Sequence, residues 1–160
     1  VLYQAIEAKQ WDYAVSLFTT HKQGEQSATW VVRKETNGKL RWRLLPLHAA
    51  VIFGSPLKLV ELLLADYPTA AHCKDDQGML PLHLAFRNES SFDVIEELLP
   101  AFPQACFVSD RKARTPLQCG TTLVRSSNSS VGRNSNYPAH PPKSFNVVVT
   151  VLYFVSQVAI

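Results

Sequence analysis

Cysteine is scarce in this chain, and its arrangement narrows the class of protein. The three cysteines among 160 residues are Cys73, Cys106 and Cys119. An odd number of widely spaced cysteines argues against a disulfide framework and favours a reducing compartment. No cysteine or histidine pair has the spacing of a metal site. We therefore expect an intracellular, cytoplasmic protein without a metal centre.

Motifs that carry catalytic chemistry are also missing. The sequence has no phosphate-binding loop, no nucleophile elbow and no metalloprotease helix. Cys119 has no histidine or carboxylate beside it in its motif, which favours a small core residue over a nucleophile. The Asp75-Asp76 pair stands before Gln77-Gly78, which indicates a turn rather than an acid–base pair. We predict a protein that is not an enzyme and uses no cofactor or small-molecule substrate.

Charge is neither strong nor one-sided. The net charge is +3, with 18% charged and 46% hydrophobic residues, which is the composition of a globular protein and does not by itself indicate nucleic acid. No signal peptide opens the chain, and it starts at Val1 rather than at methionine, so we expect a fragment of a longer protein.

A six-residue motif recurs at a fixed spacing. It reads LPLHAA at 45–50, LPLHLA at 80–85 and, more weakly, TPLQCG at 115–120. Its prolines lie 35 residues apart, and a period of this size indicates one supersecondary unit stacked on copies of itself. Proline suits the first position of a helix, and histidine can hydrogen-bond the backbone near the turn. We assign a structural role to Pro46, Leu47, His48, Pro81, Leu82, His83 and Pro116.

Helical spacing of apolar residues follows each strong motif. We predict one helix over 46–53, ending at Gly54, and a second helix capped by Ser55. The buried face of this second helix carries apolar residues three and four apart, and the same set returns 35 residues later. The predicted core pairs are Leu47 with Leu82, Ala50 with Ala85, Val60 with Ile95, Leu63 with Leu98, and Leu64 with Leu99. We expect Pro100 to end or kink its helix.

The start of the chain is a shorter version of the same unit. Residues 1–20 align with the second unit at an offset of 45, which predicts helices at 1–8 and 11–20. The ten additional residues fall between 21 and 44, where Asn37-Gly38 separates two β-prone runs and predicts a hairpin with a two-residue turn. That register places Arg33 opposite Trp42 and Val31 opposite Leu44, and it puts Val31, Arg33, Leu40, Trp42 and Leu44 on one face. An irregular loop is the alternative.

The last unit departs from the pattern. We predict a helix over 116–124, a flexible polar insertion over 126–143 and a displaced helix over 145–157. Residues 145–160 are mostly apolar but fall short of the ~20 residues that a membrane span needs. A membrane-inserted segment beginning near 145 is therefore the alternative to a packed helix.

The motif at 45–50 and 80–85 resembles the opening of the ankyrin repeat. The resemblance implies an all-α solenoid of stacked helix pairs, here with a long β-hairpin finger in the first loop between repeats. Residues 1–160 would form a single domain. Its parts would be a truncated repeat at 1–20, the hairpin insertion at 21–44, and repeats at 45–79, 80–114 and 115–160.

The resemblance also implies a non-enzymatic scaffold that binds another protein through loop tips and a concave helix surface. Basic residues interleaved with tryptophan in the hairpin favour an acidic protein partner, with nucleic acid less favoured. The expected contact residues on the loop tips are Arg33, Lys34, Lys39, Arg41, Trp42, Lys74, Asp75, Gln77, Asp110 and Arg111, and those on the concave side are Phe86 and Arg87. A membrane-tethered repeat region and the regulatory part of a larger enzyme are the other readings.

Overall fold

Residues 1–20 and 26–120 are described in the computed structural model. The helices are α1 (Leu2–Glu7), α2 (Trp11–Thr20), α3 (Pro46–Phe53), α4 (Leu57–Asp66), α5 (Pro81–Arg87) and α6 (Phe92–Ala101). The strands are β1 (Val31–Lys34) and β2 (Leu40–Leu44), and short 3₁₀ helices follow α4 at Pro68–His72 and α6 at Pro103–Phe107. The mostly helical fold and the hairpin therefore agree with the sequence prediction, and residues 116–120 begin a further helix.

The helices stack in two rows. Helices α1, α3 and α5 pack side by side in one row, and α2, α4 and α6 pack in the other. All ten residues of the predicted core pairs are buried, because the offset of 35 places equivalent apolar faces against one another. A single pair could not cover its own apolar face, so the stacked rows share one continuous core.

Two buried histidines fix the starts of α3 and α5. His48 Nδ1 accepts a hydrogen bond from the Leu45 N–H at 3.2 Å, and its Nε2 lies 3.0 Å from the Cys73 carbonyl oxygen. Because Nδ1 accepts, the neutral ring carries its proton on Nε2 and donates it to that carbonyl. His83 repeats the arrangement with the Leu80 N–H and the Arg114 carbonyl. Each histidine ties a helix start to the following loop, as its place in the motif predicts.

The hairpin differs from its predicted form at the tip. The pairs Arg33–Trp42 and Val31–Leu44 are confirmed, but Lys34 pairs with Leu40, so Arg41 is an additional bulged residue. The Glu35 N–H donates to the Lys39 carbonyl at 2.8 Å and closes a three-residue loop over 36–38. The two-residue turn was wrong because only Gly38 in this loop has positive φ, at 79°, whereas that turn needs two such residues.

The bulge also changes the predicted face of the hairpin. Leu40 is 45% exposed, whereas Val31 and Trp42 are partly buried against the core and Leu44 is buried. The expectation that Leu40 shares their packed face was therefore wrong, since one extra residue reverses the alternation of side chains along a strand.

Replacing Gly38 with valine should unfold the tip of the hairpin. The φ of 79° at this position is strongly unfavourable for a β-branched residue. We expect the Glu35 amide to lose its protection from hydrogen exchange in Gly38→Val and to keep it in Thr36→Val, which changes a neighbouring residue that lacks positive φ. Equal protection of Glu35 in wild type and Gly38→Val would contradict the assigned turn.

Two local predictions concern prolines and caps. Pro100 lies inside the last turn of α6, which ends at Ala101, so the proline stands where the helix ends. Ser55 does not cap α4, because Pro56 takes the N-cap position with ψ of 151°. The Ser55 hydroxyl is buried and has no hydrogen-bond partner among the described residues.

Part of the prediction falls outside the described residues. The insertion over 126–143, the helix over 145–157, the membrane alternative for 145–160 and the end of the helix over 116–124 all lie there, and they stay predictions. So do the repeat boundaries. Within residues 1–20 and 26–120, no helix is long and apolar enough to cross a membrane, and no three metal-ligating side chains gather into a group.

Candidate functional site

Two tryptophans attach the hairpin to the helical stack. The Trp42 ring centroid lies 6.0 Å from that of Tyr3 in α1, and the Trp30 centroid lies 5.9 Å from that of His48 in α3. Arginine side chains cover the outer faces of both indoles, with the Arg33 guanidinium 5.7 Å from the Trp42 centroid and that of Arg43 4.8 Å from the Trp30 centroid. Such cation–π contacts and aromatic packing hold the hairpin in place while its charges stay in solvent.

The edge of β2 that faces away from β1 is hydrogen-bonded to the loop that follows α4. The Arg43 N–H donates to Asp76 Oδ1 at 3.2 Å, and the other carboxylate oxygen of Asp76 accepts from Gln77 Nε2 at 2.6 Å. The Gln77 carbonyl in turn accepts from the Arg111 N–H at 3.0 Å. The hairpin, the 75–78 loop and the 110–113 loop therefore form one connected row along the edge of the stack.

Two aspartates from the expected contact set hold the loops together. Asp75 Oδ1 accepts from the N–H groups of Gln77 and Met79, both at 2.8 Å. Asp110 accepts from the backbone of Lys112 and Arg114 and from the Arg114 guanidinium at 2.7 Å. Both carboxylates are buried, so their side chains bind their own loops and are not presented to a partner.

The two carboxylates differ in their electrostatic environment. Burial raises the pKa of Asp75 above its usual range, and its backbone hydrogen bonds only partly offset this. Burial also opposes ionisation of Asp110, but the hydrogen bonds from Arg114 and Lys112 outweigh it and hold the pKa of that carboxyl below its ordinary value. The 110–113 loop is thus held by a charged carboxylate paired with Arg114.

The remaining expected contact residues differ in how far their side chains are exposed to solvent. Phe86 is 7% exposed and packs against Gly120, contrary to the open concave position that contact with a partner requires. Arg87 is half-buried, with Nη1 3.3 Å from the Met79 sulfur. The exposed residues of the set lie on the loop row: Arg33, Lys34, Lys39, Arg41, Lys74, Gln77 and Arg111.

The basic hairpin, defined as residues 31–44, concentrates positive charge. It contains five cations and one acidic residue, Glu35. Lys34, Lys39 and Arg41 are exposed near the tip of the hairpin. The Arg33 guanidinium instead lies over the Trp42 ring, with one of its nitrogens 3.9 Å from Glu7 Oε1. The structure thereby distinguishes cations that lie on a tryptophan ring from exposed cations with no ion pair or ring contact to another described residue. The charge run in the sequence did not reveal this distinction.

Exposed apolar side chains on the hairpin were not foreseen. Val32 and Leu40 are each 45% exposed. The alternation of side chains along β1 could have indicated that Val32 is exposed, since its neighbours Val31 and Arg33 were predicted to lie on the opposite face. Leu40 had no such signal, because its exposure depends on the bulge at Arg41.

Comparisons with known proteins agree on the fold. A family model of ankyrin repeats in three copies matches residues 4–126. A chain in the crystal structure of the yeast ribosomal protein Rps3 in complex with its chaperone Yar1 is similar, with a TM-score of 0.59 at 18% sequence identity. The similarity covers 79% of this chain and 84% of that chain, and at this identity it shows the fold alone. No curated protein matches the sequence.

Proposed function

Since this chain belongs to the ankyrin-repeat family, we propose that it is a non-enzymatic protein-interaction domain whose basic hairpin binds an acidic surface of a partner protein. Repeats of this family generally serve protein binding. The similar solved structure is a complex of a ribosomal protein with its chaperone, which supports a protein as the partner and gives no identity for it.

The observation that carries the proposal is the set of solvent-exposed cations on an anchored hairpin. Trp30 and Trp42 fix the hairpin to α3 and α1, so Lys34, Lys39 and Arg41 are presented from a defined position. A fixed group of like charges attracts an oppositely charged surface and raises the association rate. An anchored site also loses less conformational entropy on binding than a mobile loop does.

The neighbouring loops extend this surface. Lys74, Gln77 and Arg111 are exposed on the same row. That row is connected to β2 by the hydrogen bond from the Arg43 N–H to the Asp76 carboxylate, and its two loops are joined by the bond from the Arg111 N–H to the Gln77 carbonyl. Two of these three side chains are cationic, so the positive surface continues past the hairpin. We propose that an acidic partner lies along the hairpin and the two loops.

Reversing two hairpin charges should weaken partner capture. We expect Lys34→Glu with Lys39→Glu to reduce recovery of bound proteins from a native lysate by about tenfold or more at low salt, since every 1.4 kcal/mol of lost binding energy is tenfold in affinity. The measurement is quantitative mass spectrometry of proteins retained by the immobilised chain at increasing salt concentrations.

The matched control changes net charge equally at two lysines outside the basic hairpin and its neighbouring loops. Lys9→Glu with Lys58→Glu alters one exposed residue after α1 and one on α4. We expect this pair to retain partners at the wild-type level. If both pairs lose partners equally, net charge rather than the hairpin governs binding. If neither pair loses any, the proposed surface is wrong.

A further inference from the structure

The two edges of the hairpin are not equivalent. The outer edge of β2 is covered, because Arg43 there donates its N–H to Asp76 in the next loop. The outer edge of β1 carries no further strand among the described residues, where the sheet has two strands only. An uncovered edge presents backbone donors and acceptors that a strand from another chain can pair with.

The backbone groups on this edge follow from the pairing pattern. Along each strand of an antiparallel pair, the backbone N–H and C=O groups of successive residues point alternately toward the partner strand and away from it. The Arg43 N–H points away from β1, so the N–H and C=O groups of Val32, which pairs with Arg43, also point away from β2. At the tip of the hairpin, the Glu35 N–H donates to the Lys39 carbonyl across the pair. The N–H and C=O groups of the preceding residue, Lys34, therefore point away from β2. The N–H and C=O groups of Val32 and Lys34 therefore face the open edge.

We propose that the partner segment adds to this edge as an extended strand that carries an apolar residue and an acidic residue two positions apart. The inference rests on the proposed function and specifies how the same hairpin binds. Val32 and Lys34 lie two residues apart on the same exposed face of β1. An added strand therefore sets an apolar side chain beside Val32 and a carboxylate beside Lys34 when those two residues are also two positions apart.

Charge also decides which strands can pair here. Pairing with a second copy of β1 would bring the Arg33 and Lys34 side chains of one copy close to those of the other, and like charges near one another are destabilising. An acidic strand has the opposite effect, since the other exposed cations of the hairpin, Lys39 and Arg41, lie close by along the chain. The edge is thus protected from self-association and open to an acidic segment.

The test uses the full chain and a synthetic eight-residue peptide of two Val-Thr-Glu-Thr units with blocked ends, which puts valine and glutamate in turn on one face of an extended strand. Binding is followed by NMR titration and by hydrogen exchange of backbone amides. We expect the peptide to slow exchange at the amides of Val32 and Lys34. We also expect Val32→Pro to reduce affinity about tenfold or more, because proline removes the outward N–H, while an edge strand tolerates proline there. Val32→Thr keeps the N–H and should bind within about twofold of wild type.

The outcomes separate the two proposals. If the peptide binds, responds to Lys34→Glu with Lys39→Glu, and leaves the Val32 and Lys34 amides unprotected, strand addition is overturned and the basic hairpin remains the site. If the peptide does not bind while Lys34→Glu with Lys39→Glu still reduces partner capture, strand addition is overturned and the basic hairpin remains the site. If the charge reversal does not reduce partner capture either, both proposals are overturned. If Val32→Pro unfolds the hairpin, its Glu35 amide will exchange fast. In that case the protection of the Val32 and Lys34 amides by the peptide in the wild-type chain alone tests strand addition.

Discussion

The free energy of unfolding should fall by about 2–5 kcal/mol when Leu63 is replaced with alanine. Leu63 is 1% exposed and lies on α4, which packs against both α2 and α6. Removing its side chain leaves a cavity between stacked helices that the rigid core cannot fully close. Leu98, at the equivalent position on α6 and 2% exposed, should show a loss in the same range. Urea unfolding followed by circular dichroism measures both.

An exposed leucine provides the control. Leu40→Ala makes the same chemical change on the hairpin, where the side chain is 45% exposed, and should cost less than about 0.5 kcal/mol, as for other surface substitutions. If Leu63→Ala cost as little as Leu40→Ala, the two leucines would occupy similar environments. The stacked register of the helices would then be wrong.

Acid should destabilise the fold through its two motif histidines. Burial lowers the pKa of His48 to about 4, from about 6.5 in an unfolded chain, and burial also lowers the pKa of His83. A lowered histidine pKa means that the folded state favours the neutral ring. The contribution of His48 is thus complete above pH 6.5 and is lost as pH falls from 6.5 toward 4. For His48 the loss is on the order of 3 kcal/mol.

The third copy of the motif suggests the control for this pH dependence. Gln118 replaces the histidine there, and its Oε1 accepts from the Thr115 N–H at 2.9 Å, as the histidine Nδ1 does in the other two. The double variant His48→Gln with His83→Gln should keep the helix starts and lose less stability between pH 7 and pH 4.5. Urea unfolding at a series of pH values tests this. Equal acid loss in wild type and variant would assign the effect to other groups.

The sequence predicted the features that repeat. The offset of 35 identified the core pairs and the structural histidines, because equivalent positions in stacked units have equivalent environments. The pairs Arg33–Trp42 and Val31–Leu44 followed from alternation and the position of the Asn-Gly signal.

The missed features depend on contacts that no local pattern encodes. The bulge at Arg41 follows from the conformation of the three-residue loop at 36–38, which a sequence signal for a turn does not resolve. Phe86 was placed on an open surface because its neighbour in the next unit, Gly120, could not be identified before packing was known. Asp75 and Asp110 were predicted to contact a partner, although their carboxylates accept hydrogen bonds within their own loops.

Zero-length crosslinking of the bound chain tests the central claim most directly. A carbodiimide joins a lysine amine to a carboxylate in direct contact, so it reports which lysines touch an acidic partner. The account predicts that partner peptides, recovered with the full chain from a native lysate, are joined to Lys34 and Lys39 and that high salt abolishes these links. Partner peptides joined to Lys9 and Lys58, with Lys34 and Lys39 unlinked, would contradict it.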